Sequence, residues 1–150
     1  MLKIFLGVLL LMLSVSDSYA DPVATSSGWI LYYKNNQYGF ERYYRKDSVK
    51  PDGRGNLQVS ILTNFVSEPT CKSLRAFGYK DASNFCYMST IWASKMDCKN
   101  RTYQRGSITM YQNRMAQGGS VADPYPIDTW KEISNEFPED TELALRICNR

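Results

Sequence analysis

The side chains that could do chemistry in this chain are four cysteines and fifteen carboxylates, and no histidine accompanies them. Without histidine, the Ser-His-Asp and Cys-His arrangements that activate a nucleophile are excluded, and so are zinc sites that use histidine. A glycosidase needs only two acids, but no acidic pair stands out. The cluster Glu139, Asp140 and Glu142 is explained by the start of a helix, where acids complement the dipole. The sequence therefore predicts a protein that is not an enzyme, with no cofactor and no metal site.

The cysteines are instead predicted to form disulfides. Cys71, Cys86, Cys98 and Cys148 allow three pairings. If residues 86–98 form one strand, its ends lie about 40 Å apart, whereas bridged Cα atoms lie within about 7 Å. This excludes Cys86–Cys98. We therefore predict Cys71–Cys86 and Cys98–Cys148, while Cys71–Cys98 with Cys86–Cys148 stays open.

The first twenty residues are typical of a secretory signal peptide. A basic start, Met1–Lys3, precedes the apolar run Ile4–Leu13, and Ser18-Tyr19-Ala20 places small residues at a cleavage site. The run is shorter than the roughly 20 apolar residues that cross a bilayer. We expect cleavage after residue 20, a single exported domain over residues 21–150, and no integral membrane span.

Most of that domain is predicted to be antiparallel strands. Alternation and aromatic content indicate half-buried strands, in the ranges 29–34, 38–44, 57–66, 86–98 and 103–115. Gly106 weakens the last of these. One face of the third strand carries Leu57, Val59, Ile61, Thr63 and Phe65.

The C-terminus is predicted to be a helix that begins at Pro138, with Asp140 or Thr141 as its cap. Its apolar face carries Leu143, Ala144, Ile147 and Cys148 at helical spacing. The expected fold class is α+β: a small antiparallel sheet of about five or six strands with a disulfide-tethered C-terminal helix.

Two groups of cations and aromatics are candidate binding residues. The loop between Cys71 and Cys86 holds the larger group, and the segment Glu41–Lys46 holds the smaller. The candidates are Lys72, Arg75, Phe77, Tyr79 and Lys80, together with Arg42 and Arg45. Arginine and aromatic residues dominate interface hot spots, and a disulfide lowers the ordering cost of binding. The alternative is ordinary surface, with cationic side chains lying along packed rings.

Several short motifs, in this order and spacing, resemble the surface-adhesin protein E family of Gram-negative bacteria. The motifs are Trp29-Ile-Leu-Tyr, Asp47-Ser-Val, Gln58–Phe65, Ser89–Cys98, Arg101-Thr-Tyr, Tyr111, Gly118, Trp130-Lys-Glu-Ile, Pro138, Thr141-Glu and Ile147-Cys. The resemblance implies a sheet with a C-terminal helix tied back through Cys98 and Cys148. It also implies an exported protein that lies at the cell surface and binds host extracellular-matrix or serum proteins.

The chain departs from the family pattern in two respects: it has no cysteine for lipidation at the cleavage point, and it carries the additional pair Cys71 and Cys86. The first departure favours an alternative function, a periplasmic structural or accessory protein that contacts envelope proteins. The net charge of +3 is too weak to predict nucleic-acid binding. An unpaired strand edge invites a second copy, so a homodimer is a further expectation.

Overall fold

A computed structural model describes residues 28–123 and 127–149 of the 150-residue chain. The predicted signal peptide, residues 1–20, lies outside the described residues. Within them, no helix is long and apolar enough to cross a membrane.

The described residues form an antiparallel main sheet of eight strands, a two-stranded hairpin and one α-helix. The strands are β1 (Trp29–Asn35), β2 (Phe40–Arg45), β3 (Lys50–Pro51), β4 (Leu57–Phe65), β5 (Thr70–Ser73), β6 (Asn84–Tyr87), β7 (Ser89–Asp97), β8 (Thr102–Asn113), β9 (Gln117–Asp123) and β10 (Ile127–Glu132). The helix α1 spans Pro138–Cys148. The main sheet has the order β1-β2-β4-β7-β8-β10, with β3 beside β4 and β9 beside β8, and β5 pairs only with β6. The predicted fold class is confirmed, with more strands than the five or six expected, because β3, β9 and β10 have weak alternation.

Helix α1 packs on one face of the main sheet, which we call the helix face. Leu143 and Ile147 of the helix are each 1% exposed, and they join a core that includes Val59, Trp92 and Met96. Cys98 and Cys148 form a disulfide with their Cα atoms 5.6 Å apart. The predicted apolar face of the helix and its disulfide tether are both present.

The opposite face has a smaller core of Trp29, Tyr43 and Leu62. The short 3-10 helix Arg114–Ala116 packs over it, and the Met115 backbone N–H donates to Asn64 Oδ1 at 2.9 Å. Because Leu62 and Asn64 are buried as fully as Val59 and Ile61, β4 is covered on both faces. The prediction that it is half-buried is wrong at its centre.

The strand predicted over residues 86–98 is interrupted at Met88. The Met88 N–H donates to the Tyr111 carbonyl, and its own carbonyl accepts from the Phe65 N–H, so Met88 lies at the end of the main sheet. On the N-terminal side of Met88 the chain pairs with β5, and Cys71 lies opposite Cys86 in that register and is bonded to it. The single strand that excluded Cys86–Cys98 is therefore wrong, although both predicted disulfides are formed.

The predicted side-chain cap of α1 is also wrong. Phe137 occupies the N-cap position without a capping hydrogen bond from its side chain, and Pro138 begins the helix. The Thr141 hydroxyl instead donates to the Ser134 carbonyl at 3.2 Å. Asp140 is buried and 6% exposed, so its carboxylate is directed into the protein rather than toward the helix N-terminus.

Candidate functional site

A pocket of about 250 Å³ lies on the helix face of the main sheet. Strand register brings its floor together: Arg42 lies opposite Thr63, Thr63 opposite Thr90, and Trp92 opposite Ile108. Side chains of the β5–β6 hairpin and its loop form another wall. The lining includes Phe40, Arg42, Thr63, Phe65, Lys72, Phe77, Trp92, Arg105 and Asp123. The pocket is therefore aromatic and rich in cations.

Arg42 connects this pocket to helix α1. Its guanidinium lies 3.3 Å from the Glu139 carboxylate and 3.4 Å from the Asp140 carboxylate. It also lies 5.3 Å from the ring centres of both Phe40 and Trp92, within the range of a cation–π contact. Two of the three acids that the sequence assigned to the start of the helix, Glu139 and Asp140, lie in its first turn as expected and are also the ion-pair partners of Arg42.

Arg45, the other candidate in β2, lies on the opposite side of the sheet. Side chains alternate along a strand, so three residues separate Arg42 and Arg45 onto different faces. Arg45 lies over the Trp29 ring at 5.7 Å and forms a two-pronged ion pair with Asp47 at 2.9 and 3.2 Å. The structure therefore does not place Arg45 in the pocket.

Arg105 enters the pocket because β8 contains a bulge. Trp92 pairs with Ile108 but Ser94 pairs with Arg105, so β8 has one residue more than β7 in this interval. A bulge redirects the side chains beyond it, which places Arg105 on the same face as Ile108. The Arg105 guanidinium lies 5.0 Å from the Trp92 ring centre. Trp92 is thus flanked by Arg105 from β8 and Arg42 from β2.

The hairpin supplies two of the predicted loop residues to the pocket. Phe77 is 5% exposed and packs in a small core with Tyr87 and Met110. The Lys72 ammonium lies 5.9 Å from the Phe77 ring centre. Because Lys72 and Phe77 line the pocket with Arg42, the fold unites three of the seven candidates.

The other three candidates form an exposed group at the tip of the loop, which we call the loop tip: Arg75, Tyr79 and Lys80. Arg75 belongs to the 3-10 helix Leu74–Phe77, which Gly78 ends in a left-handed conformation at φ +80°. Gly78 and Tyr79 donate backbone hydrogen bonds to the Arg75 and Leu74 carbonyls, at 3.1 and 3.2 Å. These bonds close the turn that carries the loop tip.

Burial shifts the titration of the groups beneath Arg42. Desolvation raises the pKa of Asp140, although the neighbouring Arg42 charge opposes the shift. Desolvation and then the Asp140 carboxylate raise the pKa of Tyr103. The charges of Arg42 and Arg105, both in the pocket lining, act on these two groups.

The sequence interpretation missed Trp92, Arg105 and the aromatic walls Phe40 and Phe65 as parts of a site. Gly106 was the available signal, because a glycine within a strand often marks a bulge or a close backbone approach. Trp92 is indistinguishable from a core residue by pattern alone. Among the described residues, no three His, Cys, Asp or Glu side chains are grouped so that they could hold a metal ion.

Comparison with known structures places this fold beside protein E of Haemophilus influenzae. One structure of that protein is 17% identical, with 87% of this chain and 90% of the other covered and a TM-score of 0.61. A second crystal form gives 17% identity, coverage of 87% and 94%, and a TM-score of 0.62. Protein E from non-typeable Haemophilus influenzae gives 15% identity, coverage of 87% and 81%, and a TM-score of 0.57. No curated protein sequence matches the chain.

The family comparison is more direct. The model of the family described as surface-adhesin protein E matches residues 29–149, which include every strand of the main sheet, the hairpin and helix α1. The chain therefore belongs to the surface-adhesin protein E family.

Proposed function

We propose that this protein is an exported, non-catalytic binding module that engages host extracellular-matrix or serum proteins through the loop tip and its surroundings. The observation that carries the proposal is a cationic and aromatic loop that a disulfide and internal hydrogen bonds tie to a hairpin. Membership of an adhesin family supports the same class of function.

The loop is held from both ends and from within. Cys71–Cys86 closes it, and Leu74 N–H donates to the Ser83 carbonyl at 2.9 Å. Asp81 accepts from the Ser83 N–H and hydroxyl at 2.8 and 2.9 Å. A loop that is ordered before contact loses less conformational entropy on binding.

The charge of the loop selects the chemistry of its partner. Residues 72–85 contain three cations, Lys72, Arg75 and Lys80, and one acid, Asp81. Tyr79 is 44% exposed beside them, and exposed tyrosine and arginine are enriched among residues that dominate binding energy. The preferred partner is therefore an acidic segment of a protein surface.

The test is charge reversal at the loop tip. The double variant Arg75→Glu and Lys80→Glu should bind purified matrix and serum proteins about tenfold more weakly, because like charges then face the acidic partner. Surface plasmon resonance against a panel of immobilised proteins measures the change. Binding by the unmodified protein should be saturable and should weaken as salt is raised.

A matched control reverses two exposed cations at the other end of the sheet, Arg54→Glu and Lys99→Glu. Arg54 lies in the loop before β4, and Lys99 lies in the turn after β7. This control should leave binding unchanged. Equal losses in both double variants would remove the loop tip from the site and indicate an effect of net charge alone.

We further propose that residues 1–20 are removed on export and that residues 21–150 form the mature single domain, in the periplasm or at the cell surface. Mass spectrometry of the exported protein should give an N-terminus at Asp21. Cleavage by protease added to intact cells supports host contact. Protection from that protease favours the alternative, a structural or accessory protein that contacts envelope proteins within the periplasm.

A further inference from the structure

The pocket on the helix face contains polar groups whose hydrogen-bonding capacity is not used. Arg42 Nε, Arg105 Nε and Thr63 Oγ1 are buried and have no hydrogen-bond partner among the residues that the structure describes. All three residues line the pocket. Buried polar atoms nearly always have a partner, and an unused one is unfavourable. The pocket therefore has a polar side that favours a hydrogen-bond acceptor.

We propose that this pocket binds a small ligand in which an aromatic ring is joined to a single carboxylate. The ring would lie among Phe40, Phe65 and Phe77, and the carboxylate would face Arg105 and Thr63. This site is distinct from the exposed loop tip to which the proposed protein partner is assigned.

The local charges favour one negative charge on the ligand. Arg42 is already paired with Glu139 and Asp140. In the part of the chain that the structure describes, neither Arg105 nor Lys72 lies within ion-pair distance of a carboxylate. With Asp123, the acid in the lining, and the two partners of Arg42, three cations stand against three carboxylates, so there is no surplus positive charge to hold a phosphate dianion. Arg105 and Lys72, which have no carboxylate of a described residue within ion-pair distance, favour a ligand with one carboxylate.

The geometry of the donors also favours a carboxylate. Guanidinium groups present N–H donors that match the two oxygens of a carboxylate, and the Arg105 guanidinium is held in place by its contact with Trp92. The Thr63 hydroxyl, on a residue that is 5% exposed, is a further donor at the floor of the pocket.

The volume limits the apolar part of the ligand to about one ring. Sites for drug-sized ligands have volumes of about 300 Å³ or more, and the pocket, at about 250 Å³, is slightly smaller. An apolar cavity of about 150 Å³ accommodates benzene. The pocket therefore has room for one aromatic ring together with a carboxylate on a short linker.

Two kinds of ligand carry a ring joined to one carboxylate: a free aryl carboxylate and a peptide that ends in phenylalanine. The primary probe is 3-phenylpropionate, titrated into the exported, disulfide-bonded protein at up to about 10 mM, where fragments of this size bind. Nuclear magnetic resonance should show saturable shifts of the Trp92 indole and Arg105 side-chain signals. The peptide Gly-Gly-Phe, with a free or an amidated C-terminus, distinguishes the second kind of ligand from the first.

Two chemical controls separate charge from ring. The neutral amide 3-phenylpropionamide should bind about tenfold more weakly because it lacks the ion pair. Acetate should produce no saturable shift, because it has no ring to bury. Equal binding of the amide, or shifts that map outside the pocket, would overturn the proposal.

Two substitutions test the residues. Arg105→Met removes the guanidinium and should weaken 3-phenylpropionate binding about tenfold, and Lys72→Met, at an exposed position, tests the charge without disturbing the core. The control Arg54→Met should bind normally. If Arg105→Met fails to fold, Lys72→Met decides: unchanged affinity in that variant contradicts the proposal that a cation without an ion-pair partner attracts the carboxylate. The loop-tip variant Arg75→Glu and Lys80→Glu should retain 3-phenylpropionate binding, so the two proposals can fail separately.

Discussion

The contacts of Arg42 follow from the pairing of its strand and could not be read from its neighbours in the sequence. In the sequence it lies in a mixed cluster with Arg45, and both are candidates for one surface. In the structure alternation separates them, and Arg42 contacts Glu139 and Asp140 across the sheet–helix junction. A buried ion pair contributes little net stability, but removing one partner is costly, at about 3–5 kcal/mol. Arg42 thus fixes the position of α1 while it forms one wall of the pocket.

Asp140 should give the stability of the protein a distinctive pH dependence. Its pKa is raised above the ordinary value of 3.8, mainly by desolvation, so the folded state binds the proton more tightly than the unfolded state. The contribution of Asp140 to the free energy of unfolding is therefore highest below pH 3.8 and falls as pH rises through the raised pKa. Asp140→Asn should remove this fall.

Urea unfolding of the unmodified protein and of Asp140→Asn, at intervals between pH 3 and pH 7, measures the difference. Asp52→Asn is the control with the opposite sign, because hydrogen bonds from Asn56 and Arg54 hold the pKa of Asp52 below its usual value. Its stabilising contribution is lost as pH falls. If the free energy of unfolding of the unmodified protein, minus that of Asp140→Asn, rose with pH, the raised pKa of Asp140 would be contradicted.

At the level of elements, the strands and the helix that have a regular hydrophobic pattern were predicted correctly from the sequence. The alternation from Leu57 to Phe65 identified β4 and its inward side chains, and the helical spacing of Leu143 and Ile147 identified the buried face of α1. The break in the predicted strand at Met88 and the bulge at Gly106 depend on which strands become neighbours. That information is not contained in a two-residue period, which is why Arg105 was missed.

Gly106 should be required for the bulge that directs Arg105. A Cβ at this position would lie 3.1 Å from the Ala93 carbonyl oxygen, which is backbone within β7 and cannot easily move. Gly106→Ala should therefore lower the free energy of unfolding by about 1–3 kcal/mol, the usual cost of overpacking. Chemical denaturation measures this loss.

Gly119→Ala is the matched control, since Gly119 also lies in a strand and its added Cβ would meet the flexible end of the Gln112 side chain. That change should alter the free energy of unfolding by less than about 0.5 kcal/mol. If the two alanine variants were equally stable, close approach to β7 would not be the reason for a glycine at position 106.

At the scale of the whole molecule, the fold persists at 17% identity to protein E of Haemophilus influenzae. An antiparallel sheet covered by one helix needs alternation and burial rather than particular residues, so much of its sequence can change. Function depends on sites placed upon a fold. The two proposed sites, the loop tip and the pocket, are each held by an element that a disulfide secures.

The two disulfides should therefore stabilise different parts of the molecule. Replacing Cys98 and Cys148 by serine removes a crosslink between residues 50 positions apart in the sequence and should lower the free energy of unfolding by about 4 kcal/mol. Replacing Cys71 and Cys86 removes a crosslink between residues 15 positions apart and should lower the free energy of unfolding by about 3 kcal/mol.

Amide hydrogen exchange shows which part of the molecule each disulfide stabilises. Loss of Cys98–Cys148 should accelerate exchange throughout α1, because the helix and the acids that pair with Arg42 are then no longer tethered. Loss of Cys71–Cys86 should accelerate exchange in the loop tip and leave α1 protected. Accelerated exchange in α1 on loss of Cys71–Cys86 would mean that the hairpin and the helix form one cooperative unit, and the loop could not then be altered independently of the core.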